Sequence, residues 1–155
     1  MAFQISGVDA APFRDLYGLS DEDLAVRGVK RYAVDETPGF PDRIEMRDAA
    51  VGETVLLVNY VHQPAETPYR ASHAIFIREG AEDKYVVRDE VPDVLRARKL
   101  SLRAFDGAHM MVEAALVDGD EVEHAIEGFF RNPAISYIHI HFAARGCFAG
   151  LAERA

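Results

Sequence analysis

Residues 99–117 read Lys99-Leu-Ser-Leu-Arg-Ala-Phe-Asp-Gly-Ala-His-Met-Met-Val-Glu-Ala-Ala-Leu-Val117, which is two alternating segments around an Asp-Gly pair. In a strand, successive side chains point to opposite faces, so each segment presents one apolar face. An Asp-Gly pair between two such segments is typical of a tight hairpin. We therefore predict that strands 99–105 and 109–117 are neighbours in an antiparallel sheet. Their apolar faces are Leu100, Leu102 and Ala104, and Met110, Val112, Ala114 and Leu116.

The rest of the chain adds more strands than helices. Helices are expected after Ser20 with an end at Gly28, within Val91–Arg98, and over Asp120–Arg131. This pattern predicts one α+β domain over residues 1–155, with a mainly antiparallel sheet of about five to six strands and two or three helices. The further predicted strands cover residues 29–34, 54–62, 73–78 and 135–142.

Composition and charge exclude several classes of partner. The chain has 155 residues, of which 17 are Lys or Arg and 26 are Asp or Glu, giving a net charge of -9. Such a molecule repels nucleic acid and anionic membranes, so neither is expected as a partner, whereas a homo-oligomer is compatible with the sequence. Cys147 is the single cysteine, and the N-terminus lacks the basic and apolar regions of a signal peptide. We therefore expect a cytoplasmic location.

His139-Ile-His141 is the most distinctive local feature. Residues i and i+2 of a strand point the same way and lie about 6.5–7 Å apart, so both imidazoles can reach one metal ion or act as acid and base. A metal site needs a third donor, for which the candidates are His73, His109, Asp48 and Glu113. The alternative is that both histidines lie on a partly exposed strand face and bind no metal.

Cys147 follows Gly146, six residues after His141. A catalytic interpretation makes it a nucleophile, with His139 or His141 as the base and Arg145 as a nearby cation. The alternative is an inert, buried thiol, because free cysteine is among the most buried residue types.

Several arginines occur within strands or beside turn residues. Arg103 alternates with Leu102 and Ala104, Arg43 and Arg70 lie near proline turns, and Tyr69 precedes Arg70. Guanidinium groups bind carboxylates and phosphates, although salt bridges to the many acids are the alternative. The chain has no glycine-rich phosphate loop and no dinucleotide fingerprint, so no nucleotide cofactor is expected, and a divalent metal is the cofactor to consider.

Four motifs in this order resemble a bacterial family known as domain of unknown function 1203, and the resemblance extends from about Phe3 to Arg154. The motifs are Phe40–Ala49, Pro68–Arg78, Leu100–Asp106 and His139–Cys147. The resemblance implies a grouping and no activity. The resemblance also implies that relatives often carry cysteines at the places of Asp42, of Glu45 or its neighbours, and of Gly150, so a thiolate metal site is not expected here. The Asn that is usual after the second His is replaced by Phe142. The matching polar positions are Arg43, Asp48, Tyr69, Arg70, His139, His141, Cys147 and Arg154, together with Gly146.

Three functions remain open at this point. The first is binding of a small anionic ligand in a pocket floored by the 137–141 strand face and rimmed by Arg43, Tyr69 and Arg70, with Arg103 and Arg145 as further ligand-binding residues. The second is a hydrolase-like enzyme, either His-assisted or metal-dependent, that uses His139 and His141. The third is a structural or regulatory domain with no small-molecule site.

Overall fold

A computed structural model describes residues 2–155, which form two main antiparallel sheets and a short two-stranded ribbon. Three α-helices, α1 (Asp21–Val26), α2 (Asp93–Arg96) and α3 (Val122–Phe130), and two 3₁₀ segments, Ala11–Leu16 and Gly119–Glu121, connect them. The strands are β1 (Phe3–Ser6), β2 (Lys30–Ala33), β3 (Pro41–Asp42), β4 (Arg47–Asp48), β5 (Thr54–Gln63), β6 (Ala71–Arg78), β7 (Val86–Arg88), β8 (Lys99–Phe105), β9 (Met111–Asp118), β10 (Tyr137–Phe142) and β11 (Phe148–Arg154).

The prediction of a mainly antiparallel α+β fold is confirmed, and the strand number of the largest sheet is within the predicted range, but five further strands lie outside that sheet. The largest sheet has six strands, in the order β7-β1-β11-β10-β8-β9, and a separate sheet has the order β2-β5-β6. Helical segments also exceed the expected two or three, because the two 3₁₀ segments join the three α-helices. The sequence pattern did not reveal β1, β3, β4 and β7, because strands of two to four residues are too short to show alternation, and the seven-residue β11 was missed as well.

The six-stranded sheet is covered on one face by α2 and α3. Leu100 and Leu102 of β8 and Ile138 and Ile140 of β10 are fully buried there. The apolar stripe predicted for α3 lies in this core. A helix of nine residues is too short to be stable by helix propensity alone, so packing against the sheet stabilises it. Its members are Val122, Ile126, Phe129 and Phe130.

The hairpin of β8 and β9 is present as predicted, but the predicted inner face of β9 is wrong. Leu100 pairs with Val117 and Leu102 pairs with Ala115, so Ala115 and Val117 pack against the core. Val112 and Leu116 are exposed, because β9 is an edge strand whose other face is not covered among residues 2–155.

The three-stranded sheet packs its inner face against the side of the main sheet that carries Phe148. Leu56 and Val58 of β5 and Ile75 and Ile77 of β6 form a second core with that phenylalanine. The tenth strand therefore has two buried faces, with Ile138 and Ile140 on one and His139 and His141 on the other. The predicted partly exposed histidine face is wrong, since His139 is 6% exposed and His141 is 0% exposed.

Two irregularities in strand pairing occur beside these histidines. The register of β5 against β6 shifts between Val61 and Gln63, at His62. The register of β10 against β11 shifts between Ile140 and His141, where Phe148 becomes the partner of His141. Bulges re-aim side chains and are frequent next to functional sites.

No helix in residues 2–155 has the length and apolar character needed to cross a membrane.

Candidate functional site

Four imidazoles meet between the two main sheets. His62 comes from β5, His73 from β6, and His139 and His141 from β10. The ring centroid of His62 lies 5.0 Å from that of His73, 4.9 Å from that of His141 and 5.7 Å from that of His139. His62 also stacks on Phe148, which fixes the plane of its ring.

Three of the four form a compact set of donor atoms. Ring nitrogens of His62, His73 and His141 all lie within 4.8 Å of one another, and His62 Nε2 is 2.9 Å from His73 Nδ1. His139 flanks this set, with its ring centroid 6.4 Å from that of His141. The predicted pair of His139 and His141 is thus corrected, because His141 belongs to the compact set and His139 lies beside it.

The hydrogen bond of His141 defines its tautomer. Its Nδ1 lies 2.8 Å from the carbonyl oxygen of Gly146, and because a carbonyl only accepts, Nδ1 carries the proton. The lone pair is therefore on Nε2, a buried atom without a hydrogen-bond partner among residues 2–155. A metal-ligating histidine has this arrangement, in which one nitrogen donates to a carbonyl and the other is free to bind.

Two more ring nitrogens of the cluster are buried and without partners in the described chain, Nδ1 of His62 and Nδ1 of His139. Buried polar atoms in native proteins are nearly always hydrogen-bonded, and leaving one unpaired costs about 1–3 kcal/mol. Three such atoms in one cluster therefore lower the stability of the fold. A role in stability does not explain why they are present.

Burial keeps these imidazoles neutral. It lowers the pKa of His62 to about 4 and the pKa values of His139 and His141 to about 3, with the charge of Arg103 acting in the same direction. Burial also lowers the pKa of His73. At pH 7 the four rings are thus in the form that binds metals.

Arg103 is the cation of this region. It lies opposite His139 in the pairing of β8 with β10, and burial lowers its pKa. Its side-chain hydrogen bond goes to Ser101 Oγ at 3.3 Å, and it forms no ion pair with any carboxylate of the described chain. An arginine without a counter-ion, in a chain of charge -9, can hold an anion near the histidines.

The other predicted third donors do not belong to the compact set of ring nitrogens. His109 is hydrogen-bonded to Tyr137 Oη at 2.7 Å, Asp48 binds Arg98 through two short contacts, and Glu113 is exposed on β9. Only His73, of the four candidates, is brought to the cluster.

His62 is the ligand candidate that the sequence analysis missed. It closes an apolar alternation with Leu56, Val58 and Tyr60, all on the inner face of the small sheet. That alternation was a usable signal, because it indicated a histidine on an otherwise apolar face. The bulge in β5 that directs the His62 ring toward His141 cannot be predicted from the sequence pattern.

Arg43, Arg145 and Cys147 lie at a different place, around a cavity of about 660 Å³. Cys147 Sγ is 3.0 Å from Arg43 Nη2, and no hydrogen bond links it to a histidine in the part of the chain that the structure describes. The predicted Cys147–histidine pair is therefore wrong, because Cys147 lines this cavity while His141 points between the sheets.

Tyr69 and Arg70 do not rim a common pocket with Arg43. Tyr69 packs edge-on against Phe105 at 6.1 Å, and Arg70 donates to the carbonyl of Pro64 at the surface. A smaller cavity, of about 380 Å³, opens beside His62 and His139. The residues predicted to line one pocket therefore lie at two separate sites. One is the histidine cluster beside Arg103, and the other is the cavity beside Arg43.

The fold and the cluster define an antiparallel two-sheet domain with buried histidines between the sheets. The chain belongs to the family described as Protein of unknown function (DUF1203), whose model matches residues 39–154. The matched range contains all four histidines of the cluster as well as Arg103. Neither a curated protein nor a solved structure matches the chain significantly.

Proposed function

We propose that the protein binds a divalent transition metal ion through His62, His73 and His141, and that the bound metal and Arg103 together hold a small anionic ligand. The observation that supports this most strongly is the convergence of three neutral imidazoles from three strands, with ring nitrogens within 4.8 Å of one another. The unpaired Nε2 of His141 adds to it, since its position and proton are already set for metal binding.

The spacing of the nitrogens suits one small ion. Two nitrogens bound to tetrahedral zinc at about 2.1 Å lie about 3.4 Å apart. His62 and His73 already have nitrogens 2.9 Å apart, so their hydrogen bond would be exchanged for two metal bonds with a small movement of the rings. The third nitrogen, on His141, lies within 4.8 Å of both.

Donor chemistry narrows the choice of ion. Imidazole nitrogen suits zinc, copper, iron and nickel, whereas magnesium and calcium take oxygen donors. The three ligands carry no charge and no carboxylate or thiolate joins them in the set. Zinc is therefore the first ion to test.

An anion completes the proposed site. Three neutral ligands leave the full charge of the metal, and Arg103 adds a positive charge without a carboxylate partner in the described residues. A carboxylate or phosphate group bound at the open coordination position would satisfy both. The cavity beside His62 and His139 is the route by which we propose that it enters.

A hydrolase-like reaction is the enzyme activity that this centre would support. A metal with three protein ligands can hold water at its fourth position and lower the pKa of that water to about 7. We propose a cytoplasmic location for this activity, on the basis of the single cysteine and the acidic composition.

Metal analysis of untagged protein tests the proposal. We expect close to one equivalent of metal per chain after exchange into zinc and removal of the excess. His73→Ala, at the half-buried ligand, should lose that equivalent, whereas His124→Ala, on the exposed face of α3, should keep it. Metal-free wild-type protein, or equal metal in both variants, would contradict the proposal.

The anion is tested separately on protein loaded with cobalt(II), whose visible spectrum reports the ligands of the metal. Acetate or phosphate should change the spectrum. Arg103→Gln should weaken the affinity for the anion, measured from this change, about tenfold or more, because a charged hydrogen bond is lost. Arg131→Gln makes the same charge change at an exposed position and should have no effect. An equal response in both variants would refute the role of Arg103 and leave the metal site standing.

The structural alternative predicts a different set of results. If the four histidines only pack and hydrogen-bond, we expect the protein to contain no metal. The double substitution His139→Ala and His141→Ala should then unfold the protein. The metal analysis above separates the two functions, because the alternative expects no difference between His73→Ala and His124→Ala.

A further inference from the structure

The larger cavity lies on the opposite side of the strands from the histidines. Phe76 of β6 and Phe142 of β10 line it, and each points to the face opposite that of His73 and His141 on the same strand. We infer that this cavity binds a second ligand, a flat apolar molecule carrying one carboxylate group. This inference does not depend on the proposed metal site.

The apolar part of the cavity is built from aromatic rings. Tyr32, Phe40 and Phe76 contact one another with centroid separations of 5.2–6.4 Å, and Leu57 and Phe142 line the same space. A volume of about 660 Å³ lies within the range of small-molecule sites, about 300–1,000 Å³. The rings offer faces and edges against which a flat apolar ligand can stack.

Arg43 gives the cavity a buried positive charge. Its side chain is 2% exposed and donates to the carbonyl oxygens of Pro41 and Phe148 and to Cys147 Sγ. It also lies over the ring of Phe142, at 4.8 Å. No carboxylate of residues 2–155 forms an ion pair with it, although buried charges are normally paired. A bound anion would supply the missing negative charge.

Arg145 is the cation that can bind the carboxylate directly. It lies in the turn between β10 and β11 and forms no hydrogen bond or ion pair from its side chain in the described chain. Two further cations of the lining have carboxylate partners, Arg98 with Asp48 at 2.7 Å and Lys99 with Asp118 at 3.6 Å. The one lining carboxylate, Glu36, belongs to an exposed residue. The cavity thus keeps an excess of positive charge.

Calorimetric titration with 2-naphthoate tests this inference. We expect one binding event in the wild-type protein and at least tenfold weaker binding of 2-naphthamide, which has the same rings and no charge. Acetate, which has the charge and no rings, should also bind at least tenfold more weakly. Absence of naphthoate binding, or equal affinity for the amide, would overturn the inference.

Variants identify the place of binding. Arg145→Met should weaken naphthoate binding at least tenfold, whereas Arg131→Met, with the same change of charge at an exposed position, should not. Saturating naphthoate should also slow alkylation of Cys147 by iodoacetamide, because this thiol lines the cavity. His73→Ala should bind naphthoate as well as the wild type does. Unchanged affinity in Arg145→Met would refute the site, whatever the outcome for the metal.

Discussion

Zinc should raise the melting temperature of the wild-type protein and leave that of His73→Ala unchanged. A ligand that binds only the folded state at one hundred times its dissociation constant stabilises that state by about 2.7 kcal/mol. For a chain of this length, each kcal/mol corresponds to a shift of roughly 2–4 °C, so the expected rise is about 5–11 °C.

The same substitution has a smaller, separate effect in the absence of metal. His73→Ala removes the 2.9 Å hydrogen bond to His62, which is worth about 1 kcal/mol. The metal-free variant should therefore melt about 2–4 °C below the wild type, and remain folded. Calorimetry of chelator-treated protein, with and without zinc, measures both effects in one series.

The comparison variant is His124→Ala, whose ring lies on the exposed side of α3. It should show the full zinc-dependent rise. A rise of equal size in His73→Ala would rule out His73 as a ligand, because the stabilising metal would then be bound by other groups.

Other expected outcomes concern the stability of the fold around the site. Hydrogen bonds from Arg31 hold the pKa of Glu79 at about 2, so the stability from this pair is present above about pH 4.5 and is lost as the pH falls through 2. Urea denaturation should find Glu79→Gln less stable than the wild type at pH 6, with a smaller difference at pH 3. Gly119→Ala should be destabilising, because a Cβ there would lie 2.2 Å from the carbonyl oxygen of Leu95, whereas Gly128→Ala, where nothing lies within 4 Å, should stabilise α3 by up to about 1 kcal/mol. Ile126→Ala should cost about 2–5 kcal/mol, because this side chain is fully buried between α3 and the main sheet.

Local pattern was sufficient to predict the elements with long alternation. The hairpin of β8 and β9 follows from two alternating runs and an Asp-Gly pair, and the stripe of α3 follows from helical spacing. The strand predicted over 54–62 is present as β5, the central strand of the smaller sheet. Alternation shows which residues share a face of a strand, but not which face the helices will cover, and for that reason the predicted inner face of β9 is wrong.

The site was predictable only in part for the same reason. His139 and His141 share a strand face, which spacing shows, and His73 was a candidate third donor. Their meeting with His62 depends on the docking of two sheets and on a bulge in β5, and both are tertiary features. Cys147 is close to His141 in sequence, yet the turn at Gly146 carries it to the other side, next to Arg43.

X-ray absorption spectroscopy of the zinc-loaded protein is the direct test of the three-histidine centre, because it counts the ligands of the metal. We expect three imidazole nitrogens at about 2.0–2.1 Å and no sulfur at about 2.3 Å, since Cys147 lies in the other cavity. We also expect one imidazole fewer around any zinc retained by His73→Ala. A sulfur ligand, or a shell of oxygen atoms without imidazole, would contradict the three-histidine centre.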